Sequence, residues 1–249
     1  MLPRIISSLK YRKKLADYGI YYLFQKDFDI FNLKIGNKRI QVNIPESEKS
    51  ILAYELYTIL IDDCYGLAPL KNKISSVLDI GANVGLFSIA SSYYFPEAVI
   101  HAYEPNSELK DFLDANCESI GANCFLEGIG IKDSFISLRK GKNSLHSTSC
   151  VDDTGTISCT SFMKAIQRLG DSVDLVKLDC EGIEWELFKD TKSWSKVKYL
   201  TMEYHLWADP GYSLEDLLDC MEKIGFACTY HNPDESGQWG IIHAKNKLI

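Results

Sequence analysis

The chain has 249 residues, of which 46% are hydrophobic and 24% are charged, and its formal net charge is −7. This size suits one α/β domain with an extension, or two domains, and the acidic balance argues against nucleic-acid binding. The eight cysteines form no CxxC pair, no apolar stretch reaches the ~20 residues of a membrane span, and no signal peptide is recognisable, so we expect a cytoplasmic protein with reduced cysteines.

The N-terminal segment is basic and is predicted to be helical. Apolar residues at roughly helical spacing predict a helix over residues 3–28. A solvated helix face is the ordinary explanation for its charges. A weak contact with an anionic membrane surface is the alternative. The first fourteen residues contain no acid and carry five basic side chains: Arg4, Lys10, Arg12, Lys13 and Lys14.

A hairpin and a second helix are predicted next. The stretch "FNLKIGNKRIQVNI" alternates apolar and polar residues on both sides of Gly36-Asn37, which predicts a β-hairpin that ends before Pro45. The following stretch, "SEKSILAYELYTILIDDCYG", predicts a helix that ends near Gly66. We therefore expect an N-terminal helical and hairpin appendage over residues 1–70, followed by an α/β domain over residues 71–249.

The second part of the chain alternates short apolar strands with amphipathic helices. This alternation predicts a mostly parallel sheet with helices on both faces. Only the loop "NPDESGQ" separates the last two strands, which should therefore be antiparallel. Helices are predicted near residues 84–94, 107–119, 160–169, 182–189 and 213–224. The predicted strands are Val77–Ile80, Val99–Tyr103, Cys124–Ile129, Leu175–Leu178, Leu200–Tyr204, Ala227–His231 and Gly240–Ala244.

The segment "DIGANVG" at 79–85 joins the first of these strands to a helix. It lacks the GK[ST] end of a phosphate-binding loop, since Leu86 follows Gly85. It also lacks the GxGxxG of a dinucleotide turn, because Gly81 and Gly85 are spaced GxxxG. Asp79 beside the turn disfavours a pyrophosphate and favours a cationic ligand. S-adenosylmethionine fits this pattern, since it carries an ammonium and a sulfonium and no phosphate.

Two further strand ends complete the predicted cofactor site. Glu104 follows the second strand, where a carboxylate can accept both ribose hydroxyls. Gly128 and Ile129 end the third strand, near the expected adenine. The glycines of the turn would let the backbone approach the methionine part, and Asp79 would orient its ammonium. The predicted cofactor-binding residues are Asp79, Gly81, Ala82, Asn83, Val84, Gly85, Glu104, Pro105, Gly128 and Ile129.

Acids and a histidine at the next two strand ends are the candidate catalytic residues. Asp179 and Glu181 follow the fourth strand in "DLVKLDCEGIEWELF", and Glu203 and His205 end the fifth in "YLTMEYHLW". A hydroxyl acceptor needs a base, and His205 is the natural one near pH 7. Asp179 could instead orient the acceptor hydroxyl. Asp179, Glu203 and His205 could also hold a divalent cation, although no metal is predicted.

Four motifs in order resemble the FkbM-type methyltransferases, a family of class I S-adenosylmethionine-dependent enzymes. They are "VLDIGANVGLFSI", "AYEPN", "VDLVKLDCEGIEWELF" and "LTMEYH". The resemblance implies a Rossmann-like class I methyltransferase fold. Its seven-stranded sheet would have the order 3-2-1-4-5-7-6, with strand 7 antiparallel and helices on both faces. The third motif is the most distinctive, and its family pattern is filled by Lys177, Asp179, Glu181, Gly182 and Glu184.

The resemblance also implies O-methylation, often of a sugar or polyketide hydroxyl. We therefore predict a cytoplasmic S-adenosylmethionine-dependent O-methyltransferase that acts on a hydroxyl of a sugar, a glycan or a related small molecule. A methyltransferase-like module that holds cofactor or a partner without catalysis is the alternative. A nicotinamide oxidoreductase is disfavoured, because the turn lacks a third glycine.

Overall fold

A computed structural model describes residues 9–19, 30–139, 148–151, 155–180, 183–208 and 211–249. These residues form a central seven-stranded sheet, a second sheet of four strands, a separate hairpin and helices. Within them, no helix is both long and apolar enough to cross a membrane. The α/β architecture predicted from the alternation of strands and helices is confirmed.

The first described element is the helix α1 (Leu9–Asp17). It ends before Gly19, whose φ of +74° is the left-handed conformation that commonly follows a helix. The structure therefore ends this helix well before residue 28, where the sequence pattern placed its end. Residues 20–29 lie outside the described part of the chain.

The hairpin and the second helix follow as predicted. β1 (Asn32–Ile35) and β2 (Lys38–Gln41) pair antiparallel around the Gly36-Asn37 turn. The helix α2 (Lys49–Leu60) then packs an apolar face that includes Leu52 and Leu56. It ends earlier than Gly66, because the chain turns at Asp63, which has a φ of +53°.

The central sheet has the strand order that the family resemblance implies. Its strands lie in the order β5-β4-β3-β10-β11-β13-β12, which is 3-2-1-4-5-7-6 when only these strands are counted along the chain. All neighbours pair parallel except β13, which is antiparallel to both β11 and β12. The strands are β3 (Ser76–Ile80), β4 (Val99–Tyr103), β5 (Asn123–Phe125), β10 (Val173–Leu178), β11 (Val197–His205), β12 (Phe226–Pro233) and β13 (Trp239–Asn246).

Helices cover the two faces of this sheet. Consecutive strand residues point to opposite faces, so Val77 joins one hydrophobic cluster and Leu78 joins another. The helices after α2 are α3 (Leu86–Tyr94), α4 (Lys110–Ile120), α5 (Phe162–Arg168), α6 (Glu184–Leu187), α7 (Thr191–Trp194) and α8 (Leu214–Lys223). The first cluster contains side chains of α2 and α3, and the second contains side chains of α5, α7 and α8.

A four-stranded sheet was not predicted from the sequence. It consists of β6 (Gly128–Gly130), β7 (Ser134–Arg139), β8 (Thr148–Val151) and β9 (Ile157–Ser161), in the order β6-β9-β7-β8. The predicted strand Cys124–Ile129 is therefore wrong, because its two halves belong to different sheets. Asn123–Phe125 pairs with β4, whereas Gly128–Gly130 pairs with β9, and a Cβ on Gly128 would lie 2.5 Å from Cδ1 of Ile136 in β7.

The N-terminal elements share one hydrophobic cluster with the central sheet. Leu15 of α1, Leu33 of β1 and Leu52 of α2 belong to the same cluster as Val77 of β3. The loop after α2 is also tied to the last strand, because Nε2 of His243 lies 2.8 Å from the carbonyl oxygen of Cys64. The described residues before position 70 thus pack against the sheet, while the domain boundary at residue 70 stays a prediction.

Candidate active site

Most of the predicted site residues lie at the carboxyl ends of four neighbouring parallel strands. β4, β3, β10 and β11 are adjacent and parallel, so their carboxyl ends meet at one edge of the sheet. The chain leaves β3 towards β4 and later returns on its other side to form β10. Ligands of open α/β sheets bind at this reversal of strand order.

The glycine turn after β3 packs against the end of β10. Gly81 has a φ of +74°, and a Cβ on it would lie 1.7 Å from the backbone oxygen of Asp179. Gly85 precedes α3 with a φ of +86°. The predicted approach of a ligand to these glycines stays a prediction. Gly81 also has a packing role, because only a residue without a side chain lets the turn reach Asp179.

The backbone N–H groups of the turn are already used inside the protein. Gly81 and Ala82 both donate to the carbonyl oxygen of Tyr103, each at 3.0 Å. Asn83 donates to Oε2 of Glu104 at 2.9 Å. The side chains of Ala82 and Val84 are buried, whereas Gly81 and Asn83 are partly exposed. Of the five predicted turn residues, Gly81 and Asn83 therefore present the accessible surface.

Glu104 is the second element of the predicted cofactor site, and it lies buried at the end of β4. Its Oε1 accepts the N–H of Asn106 at 2.8 Å, and its Oε2 accepts the N–H of Asn83. Burial raises the pKa of Glu104, although both N–H groups favour the charged form. Each oxygen of an ionised carboxylate has more than one acceptor site, so these bonds leave capacity for ribose hydroxyls.

Lys177 connects the turn with two acidic residues, a role that the sequence analysis did not assign. Its Nζ donates to the carbonyl oxygen of Gly81 at 2.6 Å and lies 3.6 Å from Asp79 and 3.3 Å from Asp179. Burial opposes its charge, but Asp179 and Asp79 raise its pKa above the usual range. Asp79 is fully buried and also accepts a bond from Ser88 at 2.7 Å. It therefore braces the turn, and its predicted orientation of a ligand ammonium stays a prediction.

Three of the four predicted catalytic residues come together at the ends of β10 and β11. Asp179, Glu203 and His205 each offer a ligand atom, and these atoms all lie within 4.8 Å of one another. The hydroxyl of Tyr65 lies 3.5 Å from Oδ2 of Asp179 and brings the N-terminal part of the chain to the cluster. The fourth predicted residue, Glu181, lies outside the described residues.

His205 lies between two carboxylates. Its Nδ1 is 3.5 Å from Oε1 of Glu184, and its Nε2 is 3.3 Å from Oε1 of Glu203. Burial disfavours the imidazolium, but the hydrogen bonds with Glu184 and Glu203 outweigh it and raise the pKa of His205 to about 11. The two carboxylates favour the protonated ring, and the predicted role of His205 as a base stays a prediction.

Glu55 is a site residue that sequence reasoning missed. It lies on α2, and its carboxyl interacts electrostatically with Asp179, Lys177 and Glu203. Its Oε2 is inaccessible to solvent and has no hydrogen-bond partner. Burial, and then the charge of Asp179, raises the pKa of Glu55 to about 8. No motif identifies this residue, because it belongs to an ordinary amphipathic helix far away in sequence.

The remaining predicted cofactor residues have mixed positions. Pro105 is partly exposed directly after Glu104, at the predicted ribose position. Gly128 and Ile129 are buried in β6 of the second sheet, and Ile129 shares a cluster with Tyr103 at the end of β4. Their predicted contact with adenine stays a prediction.

The strand order, the reversed last strand and the glycine turn followed by a strand-end acid define a Rossmann-like class I methyltransferase. The methyltransferase FkbM domain model matches residues 79–228, which is more than half of the chain. The chain therefore belongs to the FkbM methyltransferase family, and it is a methyltransferase.

Curated relatives carry the same class name. The chain is 23% identical over 206 residues to "Methyltransferase 1" of Beauveria bassiana, covering 71% of this chain and 81% of that protein. It is 26% identical over 251 residues to "Methyltransferase sdnD" of Sordaria araneosa, covering 82% of this chain and 92% of that protein.

Solved structures share the fold. Magnesium protoporphyrin IX methyltransferase from Synechocystis, determined with bound S-adenosylmethionine, is similar with a TM-score of 0.50 and 13% identity, over 82% of this chain and 86% of that chain. The fibrillarin pre-rRNA processing protein of Methanococcus jannaschii has the same score and identity, over 92% of this chain and 88% of that chain. At this level of identity the similarity shows the fold alone.

The cofactor of this methyltransferase is S-adenosylmethionine. The side chains at the strand ends fit it, because Glu104 can accept its ribose hydroxyls and the carboxylates around Asp179 suit its sulfonium charge. Gly81, Asn83 and Pro105 are partly exposed in the turns that follow β3 and β4, and these residues would hold the cofactor together with Glu104.

Proposed function

We propose that the protein methylates a hydroxyl group of a sugar, a glycan or a related small molecule. The observation that carries this proposal is the exposed aromatic surface beside the acidic cluster. Trp207 is 43% exposed, and its ring lies 5.5 Å from that of His205. An exposed indole next to carboxylates suits a sugar, which offers an apolar ring face to the aromatic side chain and hydroxyl groups to the acids.

Bound S-adenosylmethionine supplies an activated methyl group. Gly81, Asn83, Glu104 and Pro105 would hold it, and its methyl group would pass to the acceptor oxygen as the carbon–sulfur bond breaks and leaves its electron pair on sulfur. The hydroxyl proton passes to a carboxylate of the site. Asp179, Glu203 and Glu55 offer such groups, and Tyr65 beside Asp179 would help to orient the acceptor.

Calorimetry with S-adenosylmethionine and S-adenosylhomocysteine tests the cofactor part of the proposal. We expect binding by the native protein and weakening of at least tenfold in Glu104→Ala, since the ribose would lose its charged hydrogen-bond acceptor. The matched control is Glu108→Ala, whose exposed side chain lies on the adjacent turn. The proposal would be refuted if the native protein bound neither S-adenosylmethionine nor S-adenosylhomocysteine.

Mass spectrometry of a cell extract, incubated with the enzyme and methyl-labelled cofactor, tests the acceptor part. We expect the label on a hydroxyl oxygen of a carbohydrate-type molecule. Label on nitrogen or carbon would contradict the proposed acceptor. Cofactor binding without any labelled product would favour the module that holds cofactor without catalysis.

We also infer a cytoplasmic protein whose partner is a small molecule or glycan rather than a nucleic acid. The net charge of −7 supports a partner other than a nucleic acid. The cysteines form no CxxC pair, which supports reduced thiols in a cytoplasmic setting. The membrane-surface contact of the basic N-terminus remains a proposal. Among its charges, Lys14 donates to the carbonyl oxygen of Ile61 and so takes part in the protein's own packing.

A further inference from the structure

We propose that Asp179, Glu203 and His205 form a binding site for a divalent metal ion. Two carboxylate oxygens and an imidazole nitrogen lie within 4.8 Å of one another, which is the separation that ligands around one ion can have. Asp179 and Glu203 are partly exposed and His205 is buried, so the cluster has one open side. An ion there could keep coordination positions for water or for an acceptor oxygen.

The surroundings of His205 match those of a metal-bound histidine. Such a histidine almost always directs its second ring nitrogen to a carboxylate or a carbonyl, which fixes the ring orientation. Nδ1 of His205 lies 3.5 Å from Oε1 of Glu184, and both side chains are buried. This leaves Nε2 on the side of Glu203, where an ion would take the place of the proton.

Glu55 gives independent support, because it brings a carboxyl group with an unpartnered buried oxygen to the cluster from a different part of the fold. Its Oε2 is inaccessible to solvent and has no hydrogen-bond partner. Buried carboxylates are normally paired or bound to metal. Among the described side chains around the cluster, Lys177 is the cation that faces the acids, whereas five side chains carry carboxyl groups: Glu55, Asp79, Asp179, Glu184 and Glu203. A divalent cation would compensate this excess of acid.

The role of the ion rests on the proposed function, although its binding does not. A divalent ion lowers the pKa of a hydroxyl bound to it and fixes the oxygen in position. Oxygen and nitrogen ligands together suit Mn²⁺ or Mg²⁺ with open positions, and also Zn²⁺. Mn²⁺ is the useful probe, since its electron paramagnetic resonance signal reports binding directly.

The experiment titrates Mn²⁺ into protein that was treated with chelator, with and without S-adenosylhomocysteine. Calorimetry and the loss of the free-Mn²⁺ resonance signal measure the binding. We expect one ion per chain, competition by Mg²⁺, and affinity losses of more than about tenfold in Asp179→Asn and Glu203→Gln. Glu184→Gln should lose roughly 10–100-fold through the orientation of His205. The matched control is Glu222→Gln, an exposed carboxylate that pairs with Lys247.

The outcomes separate this inference from the proposed function. Binding of S-adenosylhomocysteine by a folded native protein that takes up no Mn²⁺ would overturn the metal site and leave the methyltransferase function intact. Mn²⁺ binding that both ligand variants retain would also overturn it, because the ion would then lie elsewhere. Mn²⁺ binding without any cofactor binding would support the metal site and count against the proposed function.

Discussion

Replacement of Lys177 by methionine is the most informative perturbation of the site. Lys177 is 5% exposed and Asp79 is 0% exposed, and the ammonium lies 3.6 Å from Oδ1 of Asp79. Methionine keeps most of the volume and removes the charge, so Asp79 remains buried without its cationic partner. Breaking a buried ion pair in this way typically costs about 3–5 kcal/mol of the free energy of unfolding. The loss of the ammonium destabilises the charge of Asp179 less, because this side chain is 22% exposed and water can hydrate it.

Protonation of Asp79 sets an upper bound on this cost. Neutralising an aspartate of ordinary pKa at pH 7 requires about 4 kcal/mol, since each pH unit above about 3.9 contributes 1.36 kcal/mol. Burial already raises the pKa of Asp79, and loss of Lys177 would raise it further. The folded variant then binds a proton that the unfolded chain does not bind. Its stability relative to the native protein therefore falls as pH rises from 5 to 8.

Urea unfolding at pH 5 and pH 8 measures this difference. At pH 7 a cost of about 3–4 kcal/mol should lower the melting temperature by roughly 6–16 °C, at about 2–4 °C per kcal/mol for a chain of this size. The control is Lys198→Met, because Lys198 is 39% exposed and lies 3.9 Å from Asp174, and it should cost less than about 1 kcal/mol. Asp79→Asn added to Lys177→Met should recover part of the stability. Equal costs for the two lysine variants, independent of pH, would refute the reasoning.

Three further changes test other parts of the molecule. Gly81→Ala should lower the free energy of unfolding more than Gly121→Ala and should remove cofactor binding. The two glycines have φ of +74° and +73°, but only a Cβ on Gly81 would meet the backbone. Equal losses of about 1–2 kcal/mol in urea unfolding would contradict this contact. Trp207→Ala should raise the KM for the acceptor by roughly three- to tenfold at unchanged cofactor affinity, and an unchanged KM would exclude stacking. The third change replaces the basic residues before Lys14 by glutamine and keeps Lys14, which donates to the carbonyl oxygen of Ile61. Sedimentation of the protein with anionic vesicles should then fall at least tenfold. Unchanged sedimentation would show that those charges do not bind membranes.

Much of the central sheet could be predicted from the sequence, because local patterns specify it. The strand Val99–Tyr103 agrees with the prediction at both ends, and the helix after Gly85 begins where the turn ends. The second sheet could not be predicted in this way. Glu127 is the one charged residue in the run from Cys124 to Ile129, and only the strand pairing shows that the chain changes sheets within it.

The candidate site divides in a similar manner. The motifs identify Asp179, Glu203 and His205, because residues at the ends of neighbouring parallel strands must lie close together. The charge state of His205 is different, since it depends on Glu184, which reaches the ring from a helix. A pKa depends on every charge that packs nearby, and spacing along the chain does not report those contacts.

The sequence by itself determined the class of the protein, its parallel sheet and the strand ends that carry the acids. These features follow from hydrophobic periodicity and from short motifs, which act over a few residues. Only the tertiary structure decided that Lys177 links Asp79 to the glycine turn and that Glu55 and Tyr65 approach Asp179. Those contacts join residues far apart in the chain, and burial in a shared core, rather than local preference, holds them together.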